Sequence, residues 1–246
     1  MNFCNETKND VKLFDSPLPA YKGEFIEFMA RSGVLTFGEF KTKSGRLSPY
    51  FINTGNYRTG AQMAKLGDYY ASCYMDKIDM PVDTLYGPAY KGISLVVTAA
   101  TSLYRNHGVD LPFCFNRKEA KTHGEGGSMI GRTPQTGDKI VIIEDVITAG
   151  TALRETMDIL KDVAGDVKIE ALIIQVDRME RAAAELSAVQ QARQDFGIAV
   201  YSIVTVRDII THLHGRKIDD KVLIDDEMKA KMEAYLEAYG VKSIGE

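Results

Sequence analysis

From residue 84 onward, apolar runs and amphipathic stretches alternate along the chain. TLYG (84–87) is a short apolar run, and GISLVVTAATSLYRNHG (92–108) has the pattern of a buried helix. PFCFNRK (112–118) reads as a strand leading into a glycine-rich stretch, and KIVIIEDV (139–146) as a continuous apolar strand. In TALRETMDILKDVAG (151–165), Leu153, Met157, Leu160 and Ala164 recur at helical spacing, while Arg154, Glu155, Asp158 and Lys161 take the other face. IEALIIQVD (169–177) and IAVYSIVTV (198–206) are further strands. Uninterrupted β-branched runs predict strands buried on both faces, and their alternation with helices predicts an α/β fold with a mostly parallel central sheet flanked by helices. Ahead of this region, helices are expected near 18–31 and 59–77, with a loop-rich segment over 36–57. A C-terminal helix places Met228, Met232, Tyr235 and Tyr239 on one stripe, expected to be a packing face. No repeat or linker interrupts the pattern, so 1–246 reads as a single domain.

Composition narrows the class. Of 246 residues, 45% are hydrophobic, enough for a large core, and the absence of low-complexity tracts excludes disorder, collagen and coiled coil as the overall class. A net charge of −4 argues against a nucleic-acid partner, since a phosphate-reading surface needs excess Lys and Arg. No apolar run approaches the roughly 18 residues of a membrane span, so no membrane partner is expected. MNFCNETKND has no apolar stretch of the kind a secretory signal carries. Cys4, Cys73 and Cys114 are scattered without metal-ligand spacing and read as reduced thiols of a cytoplasmic protein.

The chemistry concentrates where the strand at 139–146 stops. Glu144 and Asp145 end an apolar run, and Val146, Ile147, Thr148, Ala149, Gly150 and Thr151 then lead into a helix. Open α/β sheets bind ligands beyond the carboxyl ends of their strands. Closely spaced backbone N–H groups and two hydroxyls at a helix N-terminus make a phosphate cradle, reinforced by the helix dipole. Two acids facing a phosphate would repel it, so they fit the hydroxyls of a ribose whose 5′-phosphate sits in the loop. No G-x-x-x-x-G-K-[ST] occurs, and HGEGGSM fails G-x-G-x-x-G because Met129 stands at the third glycine. A second concentration lies at Arg117, Lys118, Lys121 and His123, ahead of Gly124, Gly126, Gly127 and Gly131. It reads as a mobile basic arm over about 119–132, suited to closing over a pyrophosphate.

The acid pair followed by V-I-T-A-G-T resembles the ribose-phosphate signature of type I phosphoribosyltransferases, which use 5-phosphoribosyl-1-pyrophosphate (PRPP). This motif alone does not choose the base. Phe115 through Gly127 (FNRKEAKTHGEGG) is similar to the catalytic loop of the orotate phosphoribosyltransferase family, and Leu85 through Ile93 (LYGPAYKGI) to its pyrophosphate loop. Lys43 through Asn53 (KSGRLSPYFIN) resembles its N-terminal hood, contributed here by about 18–60, and Asp177 through Arg181 (DRMER) resembles its D-R-x-E-R. Ile52 stands where bacterial relatives often have a second Phe, and Ala182 where the family usually has Gly. Met1–Asp15 carries no assignable motif.

The resemblance implies a type I phosphoribosyltransferase fold with a small N-terminal hood. It implies transfer of the phosphoribosyl group from PRPP to orotate, giving orotidine 5′-monophosphate and pyrophosphate in de novo pyrimidine synthesis. Lys118, Lys121 and Asp145 are the implied catalytic residues. Lys43, Tyr90, Lys91, Arg117, Lys118, Lys121 and His123 would join Glu144, Asp145 and the run Val146, Ile147, Thr148, Ala149, Gly150, Thr151 and Ala152 in binding PRPP. Lys43, Phe51, Ile52, Thr148 and Arg178 would hold orotate. The implied cofactor is Mg²⁺, carried mainly by substrate and water with no direct protein ligand. The implied assembly is a homodimer with shared sites, Arg117, Lys121 and His123 acting on the neighbour and Lys118 on its own chain. A purine phosphoribosyltransferase, or a regulator that binds PRPP without turnover, are the alternatives.

Overall fold

The structure is a computed structural model that describes residues 17–42, 45–121, 127–147, 151–181 and 185–241, without the side chains of residues 119–121, 151 and 152. In chain order the elements are α1 (Ala20–Arg31), β1 (Leu35–Lys41), β2 (Leu47–Ile52), a 3-10 turn (Thr54–Asn56), α2 (Gly60–Lys77), β3 (Thr84–Tyr86) and α3 (Lys91–His107). Then come β4 (Phe113–Lys121), β5 (Gly127–Gly131), β6 (Lys139–Ile143), α4 (Thr151–Ala164), β7 (Lys168–Asp177), α5 (Ala188–Phe196) and β8 (Ala199–Thr205). The chain closes with α6 (Val206–Leu213), the short β9 (Lys217–Ile218) and β10 (Lys221–Val222), and α7 (Asp226–Tyr239).

Six strands form the central sheet in the order β5-β4-β3-β6-β7-β8. Every pairing in it is parallel except β4 with β5. The period of two along β6 divides the core. Val141 and Ile143 join Phe25, Leu66, Tyr70, Val96 and Ile209 from α1, α2, α3 and α6. Ile140 and Ile142 join Leu153 and Leu160 of α4 and Val189 and Ala192 of α5. Burying such a side chain contributes roughly 1.5–3 kcal/mol. That exceeds the 0–1 kcal/mol or so of an exposed ion pair, so the fold rests on these two layers and leaves the sheet's rim free for polar work.

Helix boundaries follow local chemistry. Thr59 and Gln62 form a reciprocal capping box at α2, as Ser187 and Gln190 do at α5 and Thr205 and Asp208 at α6. The turn between β3 and α3 is closed by two facing glycines, since a Cβ on Gly92 would lie 2.7 Å from the carbonyl carbon of Gly87. The Ala89–Tyr90 peptide within it is cis.

The structure differs from the sequence expectations in three places. The segment read as loop-rich over 36–57 contains the antiparallel hairpin β1–β2, with Leu35 opposite Ile52 and Phe37 opposite Tyr50. Pro49 is tolerated there because β2 pairs on one side only. Of the segment 18–60 expected to contribute the hood, α1 buries Phe25, Ile26 and Met29 in the same core as Leu35 of β1 and Tyr50 of β2. The glycine-rich stretch over about 119–132 is strand at both margins, in β4 and β5, where Phe115 faces Ile130 and Asn116 faces Met129; residues 122–126 lie outside the described residues. Finally, α5 and α6 were not anticipated.

Candidate active site

β3, β4, β6 and β7 bring their carboxyl ends to one rim of the sheet. β6 stops at Ile143, one residue short of the acid pair, yet the ladder continues beyond it. Glu144 N donates to Ile173 O at 3.0 Å, and Gln175 N donates to Asp145 O at 3.0 Å. Tyr70 on α2 donates its hydroxyl to Glu144 O at 2.6 Å. The backbone of both acids is thereby fixed before any side chain acts.

Asp145 is the most heavily engaged group. Its Oδ2 accepts from Lys91 Nζ at 2.6 Å and from Thr54 Oγ1 at 2.8 Å, and its Oδ1 accepts from Val146 N at 2.8 Å. Lys91 opens α3. The turn before it is held by the buried Asn116 of β4, whose Oδ1 accepts from Tyr86 OH at 3.0 Å and from Ala89 N at 2.8 Å. Burial opposes ionisation of Asp145, but the Lys91 ammonium and the Thr54 hydroxyl outweigh it and hold the carboxyl below the usual range. Glu144 has the opposite balance. Burial, with the neighbouring Asp145 charge, pushes it up to about 8, and its Oε1 accepts from Asp145 N at 3.0 Å. Side by side stand one ionised and one largely neutral carboxyl.

The second half of the site joins the hairpin to the end of β7. Arg178 places Nε and Nη2 at 2.9 and 2.7 Å from Glu180 Oε1, and its guanidinium lies 5.3 Å from the ring centroid of Tyr50. The bend that directs it uses Met179 in the left-handed region, φ 55°, with Met179 N donating to Asp177 Oδ1 at 2.8 Å. Strand alternation turns Tyr50 inward and Phe51 outward. Phe51 is 44% exposed and stacks on Phe40, centroids 5.5 Å apart.

Residues 54–203 match the family model described as a phosphoribosyl transferase domain. The orotate phosphoribosyltransferase of Lachnoclostridium phytofermentans is 49% identical over 223 residues, covering 91% of this chain and 99% of that protein. That of Clostridium acetobutylicum is 49% identical over 222 residues, covering 90% and 99%. The crystal structure of the orotate phosphoribosyltransferase of Francisella tularensis matches with a TM-score of 0.76 at 39% identity, covering 88% of this chain and 99% of that one. The chain belongs to the orotate phosphoribosyltransferase family. Its architecture is the type I phosphoribosyltransferase fold expected from the motifs.

For this orotate phosphoribosyltransferase family member, Lys91, Asp145 and Glu144 come together directly at the rim, followed by Val146 and Ile147. Tyr90 and Lys118 are exposed, Ile52 is half-buried, and Arg117 is half-buried with its Nε buried and without a hydrogen-bond partner. Thr151 and Ala152 start α4. Lys43, His123, Thr148, Ala149 and Gly150 lie outside the described residues, as do the side chains of Lys121, Thr151 and Ala152. Sequence reasoning missed Thr54, Tyr70, Asn116, Tyr50 and Glu180. Signals existed for Asn116, an amide set in the apolar run PFCFN, and for Tyr50 and Glu180, which sit in the motifs KSGRLSPYFIN and DRMER; none marked Thr54 or Tyr70.

Proposed function

We propose that the chain transfers the 5-phosphoribosyl group from PRPP to orotate, releasing pyrophosphate and forming orotidine 5′-monophosphate in de novo pyrimidine synthesis. The observation that carries this is the Lys91–Asp145 pair at the carboxyl rim of a parallel sheet, 2.6 Å apart, in a chain whose named relatives are orotate phosphoribosyltransferases. The bond from the anomeric carbon to the pyrophosphate oxygen breaks with its electron pair going to pyrophosphate. Orotate N1 forms the new bond and gives up its proton to a basic oxygen of the released pyrophosphate. Asp145, ionised, and Glu144 hold the ribose hydroxyls, and the Asp145 charge lies where an oxocarbenium-like centre gains positive charge. The backbone from Val146 and Ile147 through Thr148, Ala149, Gly150, Thr151 and Ala152 cradles the 5′-phosphate. Lys91 exchanges Asp145 for the leaving group, joined by Tyr90, Arg117, Lys118, Lys121 and His123.

Arg178 offers a planar fork to the orotate carboxylate, with Lys43 assigned to the same substrate, Phe51 to stacking on the base and Ile52 to an apolar wall. Asp145 is already engaged and Glu144 is largely neutral, so Mg²⁺ would be carried mainly by substrate oxygens and water rather than by direct protein ligands. When bound, Mg²⁺ neutralises charge on the pyrophosphate. The enzyme works in the cytoplasm as a homodimer with shared sites. No helix among the described residues is long and apolar enough to cross a membrane.

The test follows loss of orotate absorbance on adding PRPP, with and without Mg²⁺, beside adenine, guanine and xanthine. Consumption of orotate alone supports the proposal. Consumption of a purine, or of nothing, overturns it.

A further inference from the structure

Thr54 belongs to none of the groups assigned above, yet its hydroxyl sits inside the Lys91–Asp145 pair. Thr54 Oγ1 donates to Asp145 Oδ2 at 2.8 Å and accepts from Lys91 Nζ at 3.1 Å. A hydroxyl has one proton and two acceptor lone pairs, so it makes both bonds at once, and its proton goes to the acid because an ammonium accepts nothing.

The turn that carries Thr54 is well fixed. Asn53 N donates to Val34 O at 2.8 Å, and the Asn53 side chain accepts from Gly55 N at 3.2 Å. Asn56 Nδ2 donates to Gly33 O at 2.7 Å, and the Tyr57 ring stacks on Phe28 with centroids 5.4 Å apart. Thr54 lies two positions after Ile52, the last residue of β2. A hydroxyl on the hairpin side of the site is therefore bonded to an acid at the end of β6.

Among the described residues, three donors hold the Asp145 carboxylate: Val146 N on one oxygen, Lys91 and Thr54 on the other. When Lys91 leaves for the pyrophosphate, Thr54 is the only one of these left on Oδ2. We infer that Thr54 is a positioning residue that keeps the Asp145 carboxylate aimed at the ribose hydroxyls after Lys91 departs. The inference rests on the roles proposed above for Lys91 and Asp145.

Thr54→Val replaces the hydroxyl by a methyl of similar size, and Thr54→Ser keeps the hydroxyl. Initial rates are measured with PRPP and orotate varied separately, with thermal melts on the same preparations and Asp145→Asn as the control. Loss of one hydrogen bond to a charged group is expected to raise KM for PRPP about tenfold in Thr54→Val. Because the bond is made before and during reaction alike, kcat should stay within about threefold, and KM for orotate should hold within about twofold. Thr54→Ser should restore KM for PRPP to within about twofold, with both melts unchanged. A Thr54→Val enzyme with wild-type KM for PRPP, a Thr54→Ser enzyme as impaired as Thr54→Val, or a loss that tracks a fallen melting temperature overturns the inference. If Asp145→Asn is inactive while Thr54→Val is normal, only the role of Thr54 is wrong. If Asp145→Asn is fully active, the reading of the acid pair itself is wrong, and the role of Thr54 goes with it.

Discussion

Tyr50 and Arg178 meet through a single oxygen atom. Glu180 Oε1 accepts the Tyr50 hydroxyl at 2.8 Å and two nitrogens of Arg178, while the guanidinium also rests over the Tyr50 ring. Tyr50 is fully buried in β2, so the hairpin sets the position of a cation that belongs to the sheet. Tyr50→Phe keeps the ring and removes the anchor of Glu180. KM for orotate should rise about tenfold, the scale of one hydrogen bond to a charged group, with KM for PRPP unchanged. Arg178→Lys, which keeps the charge but loses the fork, should cost more. Steady-state kinetics on both variants check this, and a change confined to KM for PRPP would contradict it.

Lys91→Ala should separate activity from stability. The Lys91 side chain is 63% exposed although Asp145 is buried. Solvent screening limits such a pair to about 1 kcal/mol of stability or less. Turnover should nevertheless fall about a hundredfold, since a cation is lost from the leaving-group side. Chemical denaturation and initial rates on one preparation decide it. A large loss of stability would place Lys91 among the structural residues.

The acid pair predicts opposite trends with pH. Glu144 has its folded value raised to about 8 by burial, so between its unfolded value of about 4.3 and that point the native state holds a proton that the unfolded chain does not. Its contribution to stability is therefore present at low pH and declines as pH rises through this window. Asp145 is lowered, so its contribution is present at neutral pH and is lost only as pH falls through its depressed folded value. Glu144→Gln should remove the loss on the alkaline side and leave the acid side unchanged. Denaturation midpoints from about pH 2 to about pH 9 test this, and parallel curves for the two proteins would refute it.

Shared sites predict complementation. Lys121→Ala and Asp145→Asn are each expected to be inactive alone. After subunit exchange, mixed dimers should contain one intact and one doubly altered site, restoring about a quarter of all sites by two-fold symmetry. If Lys121 served its own chain, every site would keep a lesion and no activity would return despite exchange.

The sheet and the acid pair were legible because they are local. An apolar run such as Val141–Ile143, buried on both faces, leaves a sequence record, and so do two carboxylates at its end. The hairpin β1–β2 was obscured by Gly38 and Pro49, which read as loop residues although a strand paired on one side accepts them. α6 was hidden because the apolar run of β8 passes into it at Val206 without a break, and only the Thr205–Asp208 capping box marked the change. The Thr54–Asp145 bond joins residues 91 positions apart, and no periodicity records which hydroxyl will reach which carboxylate. The same holds for Tyr50 with Glu180, 130 positions apart.

The last helix, α7, packs on the hairpin near the start of the chain. Tyr235 meets Tyr50 edge to face at 6.1 Å, the Arg46 guanidinium lies 4.9 Å from the ring centroid of Tyr239, and Arg46 Nη1 donates to Arg181 O at 3.0 Å. All six strands of the central sheet are complete by Thr205, before α7 begins at Asp226. Synthesis runs from the N-terminus, so the sheet is available to fold first. The hairpin, made early, is covered only once α7 follows. A growing chain would therefore complete the sheet that carries the acid pair before its hairpin gains the contacts to Tyr235 and Tyr239.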